Sequence, residues 1–201
     1  MGILDLLGLR DPTDTLFAAA KASDVSRAKD ALRRGAKPSA REPTEGQTPL
    51  HVALRSCEAR SGDGAVAYRP TPRAQSSVRE TTELVRLLLE AGSNPNATDN
   101  DGVTPLHWAA GKGMTTAAQM LIAAGAKVNA RDSVSFTPLH NAAQGGWCEV
   151  ARVLLSAGAD TTARHSGGQT PLEIVPIVVA GSGPDSMAPM RTLLREYATH
   201  T

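Results

Sequence analysis

Apolar side chains recur along this chain in two kinds of run. The stronger runs are Leu84, Val85, Leu88 and Leu89; Ala117, Met120, Leu121 and Ile122; and Val150, Val153, Leu154 and Leu155. Each follows the i, i+3, i+4 spacing of one buried helix face. The weaker runs are short and centred on paired alanines, as in Leu106-His107-Trp108-Ala109-Ala110, and predict slim helices that pack closely. A Thr-Pro pair precedes these short helices. Threonine is a good N-cap because its hydroxyl accepts from an orphan amide, and proline at the first helical position loses no hydrogen bond. Gly92, Gly125 and Gly158 stop the stronger helices where a left-handed C-cap is needed, and Gly35 does so earlier in the chain. Polar segments such as Asn94-Pro95-Asn96-Ala97-Thr98-Asp99-Asn100-Asp101-Gly102 follow and predict extended stretches with tight turns.

The pattern repeats. Thr48-Pro49-Leu50-His51 returns as Thr104-Pro105-Leu106-His107, as Thr137-Pro138-Leu139-His140 and, with its histidine replaced, as Thr170-Pro171-Leu172-Glu173. The last three copies start at 104, 137 and 170, a period of 33 residues. Thr15-Leu16-Phe17-Ala18 lies 33 before Thr48 and reads as a degenerate first copy, whose Gly35 comes one residue early. The step from 48 to 104 is 56, one period plus an insertion of 23. The final copy carries six extra residues before Leu193-Leu194 and ends in a helix over about 186–198, suited to capping the stack.

These residues resemble the ankyrin-repeat family. The TPLH opening, the alanine pair, Leu121-Ile122-Ala123-Ala124-Gly125-Ala126 with Val128-Asn129-Ala130-Arg131-Asp132, and Leu154-Leu155-Ser156-Ala157-Gly158-Ala159-Asp160 all match its motif, over about residues 15–201. The resemblance implies an all-α solenoid of about five stacked helix-turn-helix repeats with β-turn fingers. The repeats are expected over about 15–43, 44–99 with an inserted loop at 57–79, 100–132, 133–165 and 166–201, after an N-terminal segment at 1–14 that packs on the cap. It also implies a protein partner held on the concave surface of finger tips and inner helices. Matching the positions the family uses nominates Glu45, Gln47, Asn100, Asp101, Val103, Ser133, Val134, Phe136, Ser166 and Gln169 on the tips, and Arg55, Lys112, Gln144 and Ile177 on the inner helices. Phe136 has two readings, an anchor for a partner or a ring packed between fingers.

Composition narrows the function classes. Lys plus Arg is 21 and Asp plus Glu is 20, so the net charge of +1 offers no global attraction to nucleic acid or an anionic membrane. No apolar run approaches the ~20 residues that span a bilayer, and Met1 to Leu9 is short, carries Asp5 and reads as a segment packed on the first repeat rather than a signal. Cys57 and Cys148 have no metal-ligand spacing and read as reduced thiols of a cytoplasmic protein. No nucleophile-elbow, zinc-protease, phosphate-loop or dinucleotide pattern occurs. His51, His107 and His140 recur at the repeat period, so adjacent rings are on the order of 10 Å apart, too far to share one zinc ion. The resemblance implies instead that each imidazole hydrogen-bonds within its own turn and with the neighbouring finger.

The inserted segment is the individual feature. Ala53 to Arg60 reads as continued inner helix, about 76–90 as outer helix, and Ser61 to Arg73 as a Gly- and Pro-containing loop. Tyr68, Arg69 and Arg73 are residue types that dominate interfaces, and the competing reading is a tolerated surface loop. The expectation from sequence is a monomeric, non-catalytic adaptor or inhibitor with a protein partner, no cofactor, no nucleic acid and no membrane insertion. The alternative is a regulatory or immunity-type subunit that controls a partner enzyme or toxin.

Overall fold

The computed structural model describes residues 11–57, 72–176 and 187–199, with backbone alone for 72–76. Nine helices occur among these residues: α1 Pro12–Ala22, α2 Val25–Arg33, α3 Pro49–Ser56, α4 Pro72–Glu90, α5 Pro105–Gly111, α6 Thr115–Ala123, α7 Pro138–Gly145, α8 Cys148–Ser156 and α9 Ala188–Ala198. They stack linearly. The inner helices α1, α3, α5 and α7 follow one another in one layer, and α2, α4, α6, α8 and α9 in the other. Each helix pair buries its apolar stripe against its neighbours. Leu50, Leu54, Leu84, Leu88, Leu106, Leu121 and Leu154 are fully buried, and so are the alanine pairs Ala109–Ala110 and Ala142–Ala143. Small residues at the pairs let the slim inner helices approach closely, while the leucines fill the space behind them.

Local signals begin and end these helices as the sequence suggests. Thr48, Thr104 and Thr137 are extended N-caps followed by proline at the first helical position. Gly35, Gly92, Gly125 and Gly158 all take φ near +90° after the outer helices, a region that glycine enters without strain. Gly113 shows why size matters as well as φ. Its φ is +70°, and a Cβ there would meet the Trp147 ring at 2.5 Å. Trp147 packs into that turn and donates its indole N–H to the Gly111 carbonyl at 3.0 Å.

Several boundaries differ from the sequence reading. The first repeat starts earlier than residue 15: Asp11 caps α1 by accepting from the Thr13 N–H at 2.6 Å. Its register is also shifted by one. Leu16, Ala19 and Ala20 are the buried counterparts of Leu106, Ala109 and Ala110, and the turn bonds 24→19 and 36→31 reproduce 114→109 and 126→121. The extra residue therefore lies in the linker before Thr48, and Gly35 is in step after all. Helix α3 ends at Ser56 rather than running to residue 60, because Cys57 turns extended and its carbonyl accepts from Lys112 Nζ at 3.1 Å. On the other side of the insertion α4 starts at Pro72, ahead of the expected 76. In the final copy residues 171–174 form turns rather than an α-helix, and α9 packs on α8 at the end of the stack. Residues 1–10, the segment 58–71 with Tyr68 and Arg69, the Arg73 side chain and Ile177 lie outside the described residues or side chains.

Candidate protein-binding surface

The fingers are built by one recurring turn. Within a finger, Asp99 N–H donates to the Val103 carbonyl at 3.0 Å and Asp132 N–H to that of Phe136 at 3.1 Å. The side chain of the same aspartate then holds the turn from inside. Asp99 Oδ1 accepts from the amides of Asp101 at 3.0 Å and Val103 at 2.9 Å. Asp132 Oδ1 accepts from Val134 at 3.0 Å and Phe136 at 2.8 Å. Successive fingers are bridged in turn: Asn100 N–H reaches the Glu45 carbonyl at 3.0 Å, Ser133 that of Asp101 at 2.8 Å, and Ser166 that of Val134 at 2.9 Å.

The histidines lock each finger to the helix behind it. His107 is 1% exposed. Its Nδ1 accepts the Thr104 N–H at 3.1 Å and lies 2.8 Å from the Thr104 hydroxyl, while Nε2 is 3.1 Å from the Phe136 carbonyl. A backbone N–H can only donate and a carbonyl can only accept, so the ring is neutral with its proton on Nε2. His51 repeats this with Thr48 and Val103, and His140 with Thr137 and Gln169. Burial holds all three below the ordinary histidine range, against the opposing pull of the carbonyls they contact. Unfolding therefore takes up protons. The stabilisation is complete above the unfolded value near 6.5 and is lost as pH falls from there through the depressed folded values. Lowering the pH from 7.5 to 5.5 is expected to lower the urea denaturation midpoint, and an unchanged midpoint would contradict the assignment.

Glu173 takes half of this role in the last copy. Its Oε2 accepts the Thr170 N–H at 2.7 Å and pairs with Arg164 at 3.2 Å. Those bonds, with Arg164 nearby, keep its carboxyl below the usual range.

The nominated residues divide clearly. Asp101, Ser133, Val134, Gln144, Ser166 and Gln169 are exposed, and Val134, at 48%, is the most exposed large apolar side chain among the described residues. Gln47 is corrected: at 2% exposure it is buried beneath the first finger and presents nothing to a partner. Glu45 and Arg55 form an ion pair with each other. Asn100 is exposed but its amide donates to the Thr44 carbonyl at 3.0 Å, and Lys112 holds the end of α3. Val103 is half-buried. Phe136 is half-buried too, with its ring centroid 5.1 Å from that of His140 and 4.9 Å from that of His165, so it packs between fingers.

Two side chains that the sequence reading passed over clip the opposite edge. Asn96 Nδ2 donates to the Gly125 carbonyl at 2.8 Å while its Oδ1 accepts the Lys127 N–H at 2.7 Å. Asn129 does the same with Gly158 at 2.9 Å and Asp160 at 2.8 Å. Each satisfies an orphan carbonyl at a helix end and ties adjacent repeats. Their signal was the 33-residue spacing between two asparagines.

Comparison with protein families agrees with this geometry. A model described as ankyrin repeats in three copies matches residues 74–165, and a single ankyrin-repeat model matches 45–100. This chain belongs to the ankyrin-repeat family. The second match spans the inserted segment, so the insertion falls inside an ankyrin repeat rather than between two. Ankyrin repeats are generally protein–protein interaction modules, and the family is typically non-catalytic. No described helix of this ankyrin stack is long and apolar enough to cross a membrane.

Proposed function

We propose that this ankyrin protein is a non-catalytic adaptor or inhibitor that binds one protein partner through its finger tips and the adjoining inner-helix face. The observation that carries the reading is Val134. It is a large apolar side chain left open on a tip whose backbone is fixed by Asp132 and by the bond from Ser166 to its own carbonyl. A pre-ordered tip loses little entropy on binding, which favours affinity. Asp101, Ser133 and Ser166 supply exposed polar groups around it, the arrangement of an apolar anchor within a polar rim. Gln144 extends the surface onto α7.

The test is capture from the native source by immobilised protein, with retained proteins quantified by mass spectrometry. Val134→Asp is expected to lower retention of the partner at least about tenfold, as loss of a central anchor does. Arg152→Ala, on the outer face of α8, should leave it unchanged. Equal retention by both variants would overturn the tip assignment. Deleting residues 61–74 in the same assay separates the tips from the inserted segment, where Tyr68, Arg69 and Arg73 form the competing contact set.

A further inference from the structure

Three equivalent bonds stitch the finger tips into a row. The Asn100 N–H donates to the Glu45 carbonyl at 3.0 Å, that of Ser133 to Asp101 at 2.8 Å, and that of Ser166 to Val134 at 2.9 Å. Glu45, Asp101 and Val134 therefore hold the same place on successive fingers, and Gly167, one period after Val134, holds it on the last. All four are exposed. The fingers follow the spacing of the packed helices behind them, so successive apices stand on the order of 10 Å apart.

The chemistry changes along this row. Its first half is acidic. Glu45 shares its charge with Arg55, whereas the Asp101 carboxylate has no partner among the described residues. Asp99 and Asp132 turn inward, each holding two amides of its own turn. The arginines of these fingers are committed to backbone: Arg41 donates to the Gly46 carbonyl at 3.0 Å and Arg131 to the Arg164 carbonyl at 3.3 Å. No lysine or arginine occupies an apex. The second half is apolar. Val134 is 48% exposed. Gly167 is bare because a Cβ there would lie 2.5 Å from the His165 ring, and that ring packs on Phe136 with centroids 4.9 Å apart. An unpaired anion thus stands one finger away from an uncovered apolar group.

We propose that the tip row accepts a protein segment that presents a lysine or arginine about 10 Å from a large apolar side chain, the cation over Asp101 and the apolar group over Val134. The proposal rests on the reading of the tips as the binding surface and adds which partner they take. Burial of the apolar pair supplies the strength. An exposed ion pair adds little to that, but like charge in its place is penalised, so Asp101 sets selectivity. Acidic segments, nucleic acid and anionic lipid all meet an unpaired carboxylate there and no cation at any apex.

A phage-displayed library of random dodecapeptides, selected on the immobilised whole chain, tests this. Enriched peptides should combine a lysine or arginine with a large apolar residue at least three positions away, since three residues of polyproline II span ~9 Å. For one such peptide, followed by fluorescence anisotropy, Asp101→Lys should weaken binding about five- to tenfold. Replacing the peptide's cation by glutamate should restore binding to the D101K protein and not to the unaltered one. Arg152→Ala should change neither. Binding that Val134→Asp abolishes and Asp101→Lys leaves alone overturns the partner assignment while the tip surface stands. Enrichment of acidic peptides, or of none, overturns the assignment as well, and peptides insensitive to both positions overturn the tip surface with it.

Discussion

His107→Ala is expected to destabilise the protein by about 3–4 kcal/mol, among the largest effects of any polar substitution in the chain. The side chain is buried, and its removal leaves the Thr104 N–H without its acceptor, takes one partner from the Thr104 hydroxyl, and leaves the Phe136 carbonyl held by the Asp132 N–H alone. A buried donor or acceptor left unpaired costs ~1–3 kcal/mol, more than the bond itself contributed. The lost link also joins two elements, the cap of α5 and the base of the finger that carries Val134. Urea denaturation at pH 7.5 gives the magnitude. A loss under about 1 kcal/mol, the range of a surface change, would show that the finger is held without the histidine. Glu173 offers an internal comparison, since it caps Thr170 from an exposed position.

Leu121→Ala is expected to cost about 3 kcal/mol and to change the shape of unfolding as well. Leu121 is fully buried in α6, which sits between α4 and α8. Leu88 and Leu154 belong to the same buried core. In a linear stack each repeat contacts only its neighbours, so weakening the middle uncouples the two ends. Trp108 and Trp147 report on the central repeats by fluorescence, while circular dichroism reports on all helices. The two transitions should coincide in the unaltered protein and separate in Leu121→Ala. Coincident transitions in the variant, with a shift below 1 kcal/mol, would mean the core is not the linear one described.

The features legible in the sequence were those set locally. Thr-Pro starts, glycine stops and the i, i+3, i+4 stripes act within one helix, and their recurrence gave the stack. The histidines of the TPLH copies were readable as structural because their spacing separates them. What escaped depends on partners far along the chain. Gln47 sits at a finger position by spacing, yet it is buried in the folded chain. Glu45 and Arg55 were nominated separately and instead pair together. The one-residue shift at Leu16 was hidden because the extra residue sits in a linker, where length leaves no periodic trace. Phe136 had two readings, and its neighbours His140 and His165, one of them in the next finger, place it between fingers.

The most direct measurement of the binding claim is site-specific photocrosslinking in extract from the native source. A photoreactive side chain at position 134 should give a discrete adduct with another protein. The same group at position 83, on the outward side of α4 where Glu83 pairs with Arg86, should give none. Adducts from position 83 alone, or none from either position, would contradict a partner-binding surface at the ankyrin finger tips.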